Sequence, residues 1–156
     1  MLKFVNDEEL FAIGSSNYDY RPASKTDRLS RIFVEIEIFG MGNSIRTFAV
    51  VDTGGAYFIC SPEFAIKLNL DLDAYPNETI AIRGQKIIGK LSRLPLRFLA
   101  TQGEDLEIEV AAFIPDPEMF PEWSLPPYIG WMGCLEQIRF AIDPSNDTFY
   151  FGQRPF

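Results

Sequence analysis

The chain has 156 residues, of which 47% are hydrophobic and 23% charged, so it is long enough for one domain with a buried core. Its formal net charge is −8, which argues against nucleic acid or an anionic membrane surface as a partner, because both require clustered Lys and Arg. It contains no histidine, which excludes Ser-His-Asp and Cys-His catalysis and leaves carboxylates, Lys, Tyr and Cys for any chemistry.

The cellular setting is inferred from the termini, the apolar runs and the cysteines. The first ten residues turn acidic without a long apolar stretch, and no later run has the length of a membrane span, so we expect a soluble, cytoplasmic protein. Cys60 and Cys134 are too few for a secreted disulfide scaffold. Two buried thiols are our first interpretation, with a single bridge as the alternative.

The N-terminal segment has a mixed composition. Leu10 and Phe11 are apolar, but Gly14–Asn17 breaks any periodicity. We interpret residues 1–28 as an N-terminal extension of unclear role, with a short helix near Glu8–Ala12, and residues 29–156 as the folded domain.

The clearest periodic segment begins at Arg31. Branched residues alternate with other side chains up to Phe39, which is typical of a β-strand. Gly40–Asn43 has the composition of a turn, and Ser44–Val51 reads as the returning strand of a hairpin.

The rest of the chain alternates short strands with turns. Ser61–Leu68 predicts a short helix with Pro62 in its first turn and Asn69 as a left-handed C-terminal cap. The remaining predictions are a second hairpin (Thr79–Ile82 and Lys86–Leu99, with Arg83, Gly84 and Gln85 at its tip), a turn at Gln102–Glu104, a strand at Leu106–Phe113, a proline-rich loop from Pro115 to Pro127, a short helix around Leu135–Phe140 and a last strand at Thr148–Phe151. This pattern predicts a small all-β barrel or sandwich.

The segment Val50–Ala56 carries the strongest chemical signal. Asp52 directly follows an apolar strand, where a carboxylate is costly unless its surroundings compensate. Gly54 and Gly55 allow a sharp turn and a close backbone approach, and the Thr53 hydroxyl can stiffen the turn. The alternative interpretation is a polar turn between two strands.

The motif Asp52–Gly54 resembles the Asp-Thr/Ser-Gly signature of the retropepsin family of aspartic proteases. Ile59–Glu63 looks like the strand and short helix that follow the signature, and Tyr128–Gly130 is similar to the family's second apolar-apolar-Gly element, with Leu135–Asp143 behind it. The resemblance covers Arg31–Gly152. It implies an all-β fold, a small closed barrel of the retropepsin type with one or two short helices.

Two departures from the family pattern concern the substrate pocket. Many members have Ala after the tripeptide, whereas this chain has Gly55 and then Ala56. Met132 and Gly133 stand where a polar residue is frequent.

The resemblance implies an aspartic endopeptidase that hydrolyses peptide bonds with water activated between two carboxylates sharing one proton. The chain has one such motif, and Asp143 reads as part of a strand-to-turn transition. The second carboxylate must then be Asp52 of another copy, related by a two-fold axis, so the active site requires a homodimer. The pairing of two carboxylates predicts an acidic pH optimum.

The implied site has three groups of residues. Asp52, Thr53 and Gly54 are catalytic, with Thr53 bracing the two loops across the axis. Backbone groups at Gly54 and Gly55, with Ala56, face an extended polypeptide substrate. The hairpin tip, formed by Arg83, Gly84 and Gln85, is a candidate flap, although an ordinary β-turn explains it equally well. No metal or other cofactor is implied.

Two other functions remain open on the sequence. A non-catalytic module of the same fold would bind peptides or serve assembly, and a β-barrel that binds a small ligand would use Asp52 structurally. The acidic residues Asp71, Asp73 and Glu78 lack the spacing of a calcium loop. Trp123, Trp131 and Tyr128 either line a groove or pack in the core or an interface.

Overall fold

A computed structural model describes residues 10–155 as an all-β fold. This part of the chain has one α-helix, α1 (Pro62–Lys67), and two 3₁₀ turns at Leu72–Ala74 and Leu135–Gln137. The strands are β1 (Gly14–Asn17), β2 (Asp19–Pro22), β3 (Ser30–Phe39), β4 (Ser44–Val51), β5 (Phe58–Ile59), β6 (Asn77–Ile82), β7 (Gln85–Phe98), β8 (Gln102–Gly103), β9 (Leu106–Pro115), β10 (Tyr128–Ile129), β11 (Ile138–Asp143) and β12 (Thr148–Gln153).

Six of these strands form a closed barrel. Their pairing order is β3, β4, β10, β5, β9 and β7, and β7 pairs back with β3. The closing register matches Ile36 with Phe98 and Ile38 with Leu96. The expected all-β fold, a small closed barrel with one or two short helices, is therefore confirmed.

The first predicted hairpin is confirmed as β3 and β4. Val34, Ile36 and Ile38 are fully buried in the main core, as the period-two pattern requires. The same core takes in Phe98, so it fills the interior of the barrel. Because β4 ends at Val51, the next residue, Asp52, lies at the end of a strand of the barrel wall.

The segment before residue 29 contributes two strands. β1 lies between β12 and β8 in a second sheet, and β2 extends the barrel sheet by pairing with β3. The helix expected near Glu8–Ala12 is absent from its described part, Leu10–Ala12, while residues 8 and 9 lie outside the described residues. The division into an extension of residues 1–28 and a domain of residues 29–156 stays a prediction.

The helix expected around Leu135–Phe140 is largely wrong. Helical structure ends at Gln137, and Ile138–Asp143 forms β11, paired along its length with β12. The apolar residues of β11 stand at every second position, as in a strand at the edge of a sheet. One of them, Phe140, stacks on Phe149 with ring centroids 5.9 Å apart. The turn expected at Gln102–Glu104 contains the two-residue strand β8, in which Gly103 has a φ of 81°.

The short helix after Asp52 agrees with the sequence. α1 has Pro62 in its first turn, and Asn69 adopts the expected left-handed conformation with a φ of 56°. Ser61 precedes the helix without capping it through its side chain. Within residues 10–155 no helix combines the length and hydrophobicity needed to cross a bilayer.

Candidate active site

Asp52 is held at the end of β4 by a strand inserted from far along the chain. β10 pairs in parallel with β4 and antiparallel with β5, so it lies between the two strands that flank the Asp52 loop. The Asp52 backbone N–H donates to the Ile129 carbonyl at 2.9 Å, and Val50 N–H donates to Pro127 at 2.9 Å. These hydrogen bonds fix the backbone of Asp52 independently of any contact of its side chain.

The glycines of the loop surround the carboxylate. Gly54 N–H donates to Asp52 Oδ1 at 3.2 Å, and Gly55 N–H donates to the Asp52 carbonyl at 3.1 Å, which closes a tight turn. Asp52 is partly buried, whereas Thr53 and Gly54 are exposed. No ion pair engages the Asp52 carboxylate among residues 10–155. The carboxylate is oriented by the backbone and remains available to a partner.

The second glycine element packs directly on this loop. Gly130 N–H donates to the Tyr57 carbonyl at 2.9 Å, and Trp131 N–H donates to the Gly55 carbonyl at 2.8 Å. A side chain at Gly130 would meet the carbonyl oxygens of Tyr57 and Ala56. Tyr57 itself has a φ of 44°, so this turn is held in a conformation that non-glycine residues seldom adopt.

Asp52 lines a cavity to which the second hairpin also contributes residues. The cavity has a volume of about 300 Å³, and its lining combines the Asp52 loop with residues of β6 and the hairpin tip. Of the predicted site residues, it brings together Asp52, Gly54, Gly55, Ala56 and Arg83. Thr53 and Gly84 do not line it, and Gln85 lines a neighbouring cavity. The catalytic and substrate-binding roles of these residues stay predictions.

The neighbouring cavity lies across the hairpin tip. Its volume is about 440 Å³, and it shares Ile82 and Arg83 with the first cavity. Its other wall is the loop between β9 and β10, where Phe120 contacts Trp123 edge to face. Trp123 Nε1 is buried, and no acceptor within residues 10–155 accepts a hydrogen bond from it. Of the three aromatic residues suggested to line a groove, Trp123 lines this cavity and Tyr128 lines the one beside Asp52.

Two arginines, Arg31 and Arg83, line the cavity beside Asp52, and the sequence indicated only Arg83. Arg31 lines the Asp52 cavity, and its Nε donates to Asp27 Oδ2 at 3.2 Å. This hydrogen bond is the main cause of a raised pKa for Arg31, to which Tyr128 and Asp52 add smaller effects. Burial raises the pKa of Tyr128, and the positive charges of Arg83 and Arg31 offset part of this rise. Arg31 was missed because it begins the first strand, where the pattern shows only alternation.

The other candidates for chemistry lie elsewhere. Cys60 and Cys134 are free and buried, and burial raises the pKa of each thiol to about 12, which favours inert thiols over a nucleophile. Within the described residues no three Cys, Asp or Glu side chains come together as metal ligands. Glu78 instead accepts a hydrogen bond from Tyr57 Oη at 3.3 Å, which ties the Asp52 loop to β6.

Among known proteins, similarity to this chain is found in solved structures. No family model matches the sequence, and no curated protein matches it. The chain is similar to a solved structure of a retropepsin-like aspartic protease from Rickettsia conorii. The TM-score is 0.49 and the sequence identity 18%, over 88% of this chain and 89% of that one. At this identity the similarity says nothing about the roles of individual residues.

Proposed function

We propose that the chain is an aspartic endopeptidase that acts as a homodimer. The observation that carries the proposal is Asp52, which lines a cavity together with a β-hairpin and whose carboxylate accepts a hydrogen bond from the loop backbone without an ion-pair partner among residues 10–155. A carboxylate with a structural role is held by an ion pair or by several hydrogen bonds, as Asp143 is by Ser145 and Asn146, whereas the Asp52 side chain accepts one hydrogen bond within residues 10–155.

The chemistry needs two carboxylates and one water molecule. The ionised Asp52 removes a proton from the water, whose oxygen attacks the carbonyl carbon of the peptide bond. The protonated Asp52 of the second copy gives its proton to the carbonyl oxygen. The resulting diol collapses as the C–N bond breaks, the amine nitrogen takes a proton from a carboxyl group, and the shared proton is restored.

The loop geometry supports a second copy as the source of the other carboxylate. Thr53 and Gly54 are exposed beside Asp52, so the loop lies at the surface and another copy can approach it. A two-fold axis through this loop brings Asp52 close to its own equivalent. Two carboxylates at that distance do not both ionise, which gives an acidic pH optimum.

The test mixes wild-type chain with the Asp52→Asn variant. The variant alone is expected to keep its thermal stability and to lose cleavage of fluorescently labelled casein at acidic pH. With a ninefold excess of variant and random exchange of subunits, about a tenth of the wild-type chains pair with each other, so activity falls to about a tenth.

Four outcomes would contradict the proposal or favour another function. Full activity in the mixture would mean that one chain suffices and would refute the homodimer. Cleavage by Asp52→Asn alone would refute Asp52 as the catalytic carboxylate. Absence of cleavage by the wild-type dimer would favour the non-catalytic peptide-binding module, and a large loss of stability in Asp52→Asn would favour a small-ligand barrel with a structural Asp52.

A further inference from the structure

We propose that Arg83 and Arg31 together bind a carboxylate of the peptide substrate beside Asp52. This inference deepens the proposed function and rests on it, since it takes the Asp52 cavity as a peptide-binding cleft. It assigns the cleft a preference for acidic peptides, with Arg83 as the residue that determines it.

Arg83 is placed over the cavity by the geometry of its turn. Arg83 and Gly84 have φ values of 52° and 78°, as a two-residue hairpin turn requires, and the strands on both sides are paired up to Ile82 and Gln85. Arg83 lines both cavities, so it lies where the Asp52 cleft meets the pocket beside Trp123.

The guanidinium of Arg83 forms no ion pair within the described part of the chain. No carboxylate among residues 10–155 lies within ion-pair distance of it, although the chain carries 22 acidic residues against 14 basic ones. Glu122 lines the neighbouring cavity with Arg83 but forms no ion pair with it. An arginine that lines a cleft without an ion pair among residues 10–155 has a guanidinium that is free to bind an anion there.

Arg31 supplies a second positive charge to the same place. Asp27 engages its Nε, and no other hydrogen bond or ion pair within the described residues engages its terminal nitrogens. Arg31, Arg83 and Tyr128 line the same cavity, and both arginines oppose the rise in the pKa of Tyr128. Two guanidinium groups that line one cavity can donate hydrogen bonds to the two oxygens of a carboxylate.

The carboxylate has two sources in a peptide, which the test must separate. One is an internal Asp or Glu side chain, and the other is the free C-terminus. The test uses the full chain carrying Asp52→Asn, so that peptides are retained without being cleaved. A pool of random synthetic octapeptides, prepared with either a free or an amidated C-terminus, is passed over the immobilised protein, and the retained peptides are sequenced by mass spectrometry.

The expected result is enrichment of carboxylate-bearing peptides over their amide counterparts by about tenfold, as hydrogen bonds to charged groups predict. Adding Arg83→Ala should remove the enrichment. Adding Lys86→Ala should leave the enrichment intact. This substitution removes one positive charge from the same hairpin, but Lys86 lines neither cavity. Enrichment in the amidated pool identifies an internal acidic side chain, and enrichment only in the free pool identifies the C-terminus.

Absence of acidic enrichment overturns the inference, as does enrichment that survives Arg83→Ala or is lost equally with Lys86→Ala. Retention of no peptide at all also overturns it. The same experiments distinguish failure of this inference from failure of the proposed function. Arg83-dependent retention of peptides by a protein whose wild-type form cleaves nothing would support this inference and refute the endopeptidase.

Discussion

Gly55 packs against the carboxylate of Asp52 so closely that a Cβ atom on Gly55 would lie 2.8 Å from Asp52 Oδ2. The missing side chain is thus part of what positions the carboxylate. The same loop offers a contrast at Gly54, where a Cβ atom would meet Asp52 Oδ1 at an ordinary 3.7 Å.

We therefore expect Gly55→Ala to move the carboxylate without unfolding the protein, because the contacted oxygens can rotate away. A displacement of about 1 Å at a reacting group lowers activity by about a hundredfold. The measurement is kcat/KM on a cleaved peptide together with the melting temperature, and Gly54→Ala is the matched variant with a smaller expected loss. Equal activity of Gly55→Ala and wild type would show that Gly55 does not position Asp52.

The contact of Gly130 with the Tyr57 and Ala56 carbonyl oxygens gives a prediction about stability. A methyl group at Gly130 must displace the backbone of Ala56 and Tyr57, so Gly130→Ala is expected to lower the free energy of unfolding by about 3 kcal/mol. Urea denaturation measures this loss. Gly84→Ala is the comparison, because no atom lies near its Cβ position and only its left-handed backbone costs about 1 kcal/mol. A smaller loss at Gly130 than at Gly84 would contradict this packing.

Local patterns in the sequence predicted the elements that depend on them. Alternation along Arg31–Phe39 indicated β3 because every second residue enters the barrel, and Asn69 indicated the end of α1. The position of Asp52 after an apolar strand indicated the candidate site. These features depend on neighbours within a few residues.

The parts that the sequence did not predict depend on distant partners. β10 has two residues after two prolines, and only its pairing with β4 and β5 makes it a strand. β1 is a polar tetrapeptide that becomes a strand between β12 and β8. The proximity of Arg31 to Asp52 arises from the β3–β4 register, which matches Phe33 with Val50 and which alternation along one strand does not fix.

Asp27 gives a prediction about acid stability. Hydrogen bonds from the Leu29 backbone and then from Arg31 hold the pKa of Asp27 below its ordinary value of 3.8. Its folded-state pKa is depressed, so its stabilising effect is fully present above pH 3.8 and is lost as the pH falls through the lower, folded value.

We expect Asp27→Asn to be less stable than wild type at neutral pH, with a difference that shrinks as the pH falls below about 4. Thermal melts across a pH series measure it. Asp143→Asn is a matched comparison in the β11–β12 turn, because hydrogen bonds from the Ser145 side chain and then from Asn146 also lower the pKa of Asp143. A difference between Asp27→Asn and wild type that does not vary with pH would refute this role for the Asp27 carboxylate.

An exposed apolar pair beside the Asp52 loop gives a prediction about dimerisation. Trp131 and Met132 are 45% and 50% exposed, and Trp131 is joined to the loop by its hydrogen bond to the Gly55 carbonyl. In the proposed homodimer we expect a two-fold contact through Asp52 to cover these side chains on both copies. Because about half of Trp131 is already buried, covering the rest contributes about 1 kcal/mol per copy, or about 2 kcal/mol for the dimer.

Trp131→Ala is accordingly expected to weaken the dimer by about thirtyfold and to lower activity at dilute protein while sparing activity at high concentration. Sedimentation velocity gives the dissociation constant, and a dilution series gives the activity at each concentration. Met41→Ala is the control, since Met41 is 77% exposed at the β3–β4 turn, the opposite end of β4 from Asp52. If Trp131→Ala and Met41→Ala dimerise equally well, the interface lies on another face of the barrel, and the two-fold axis through Asp52 loses its support.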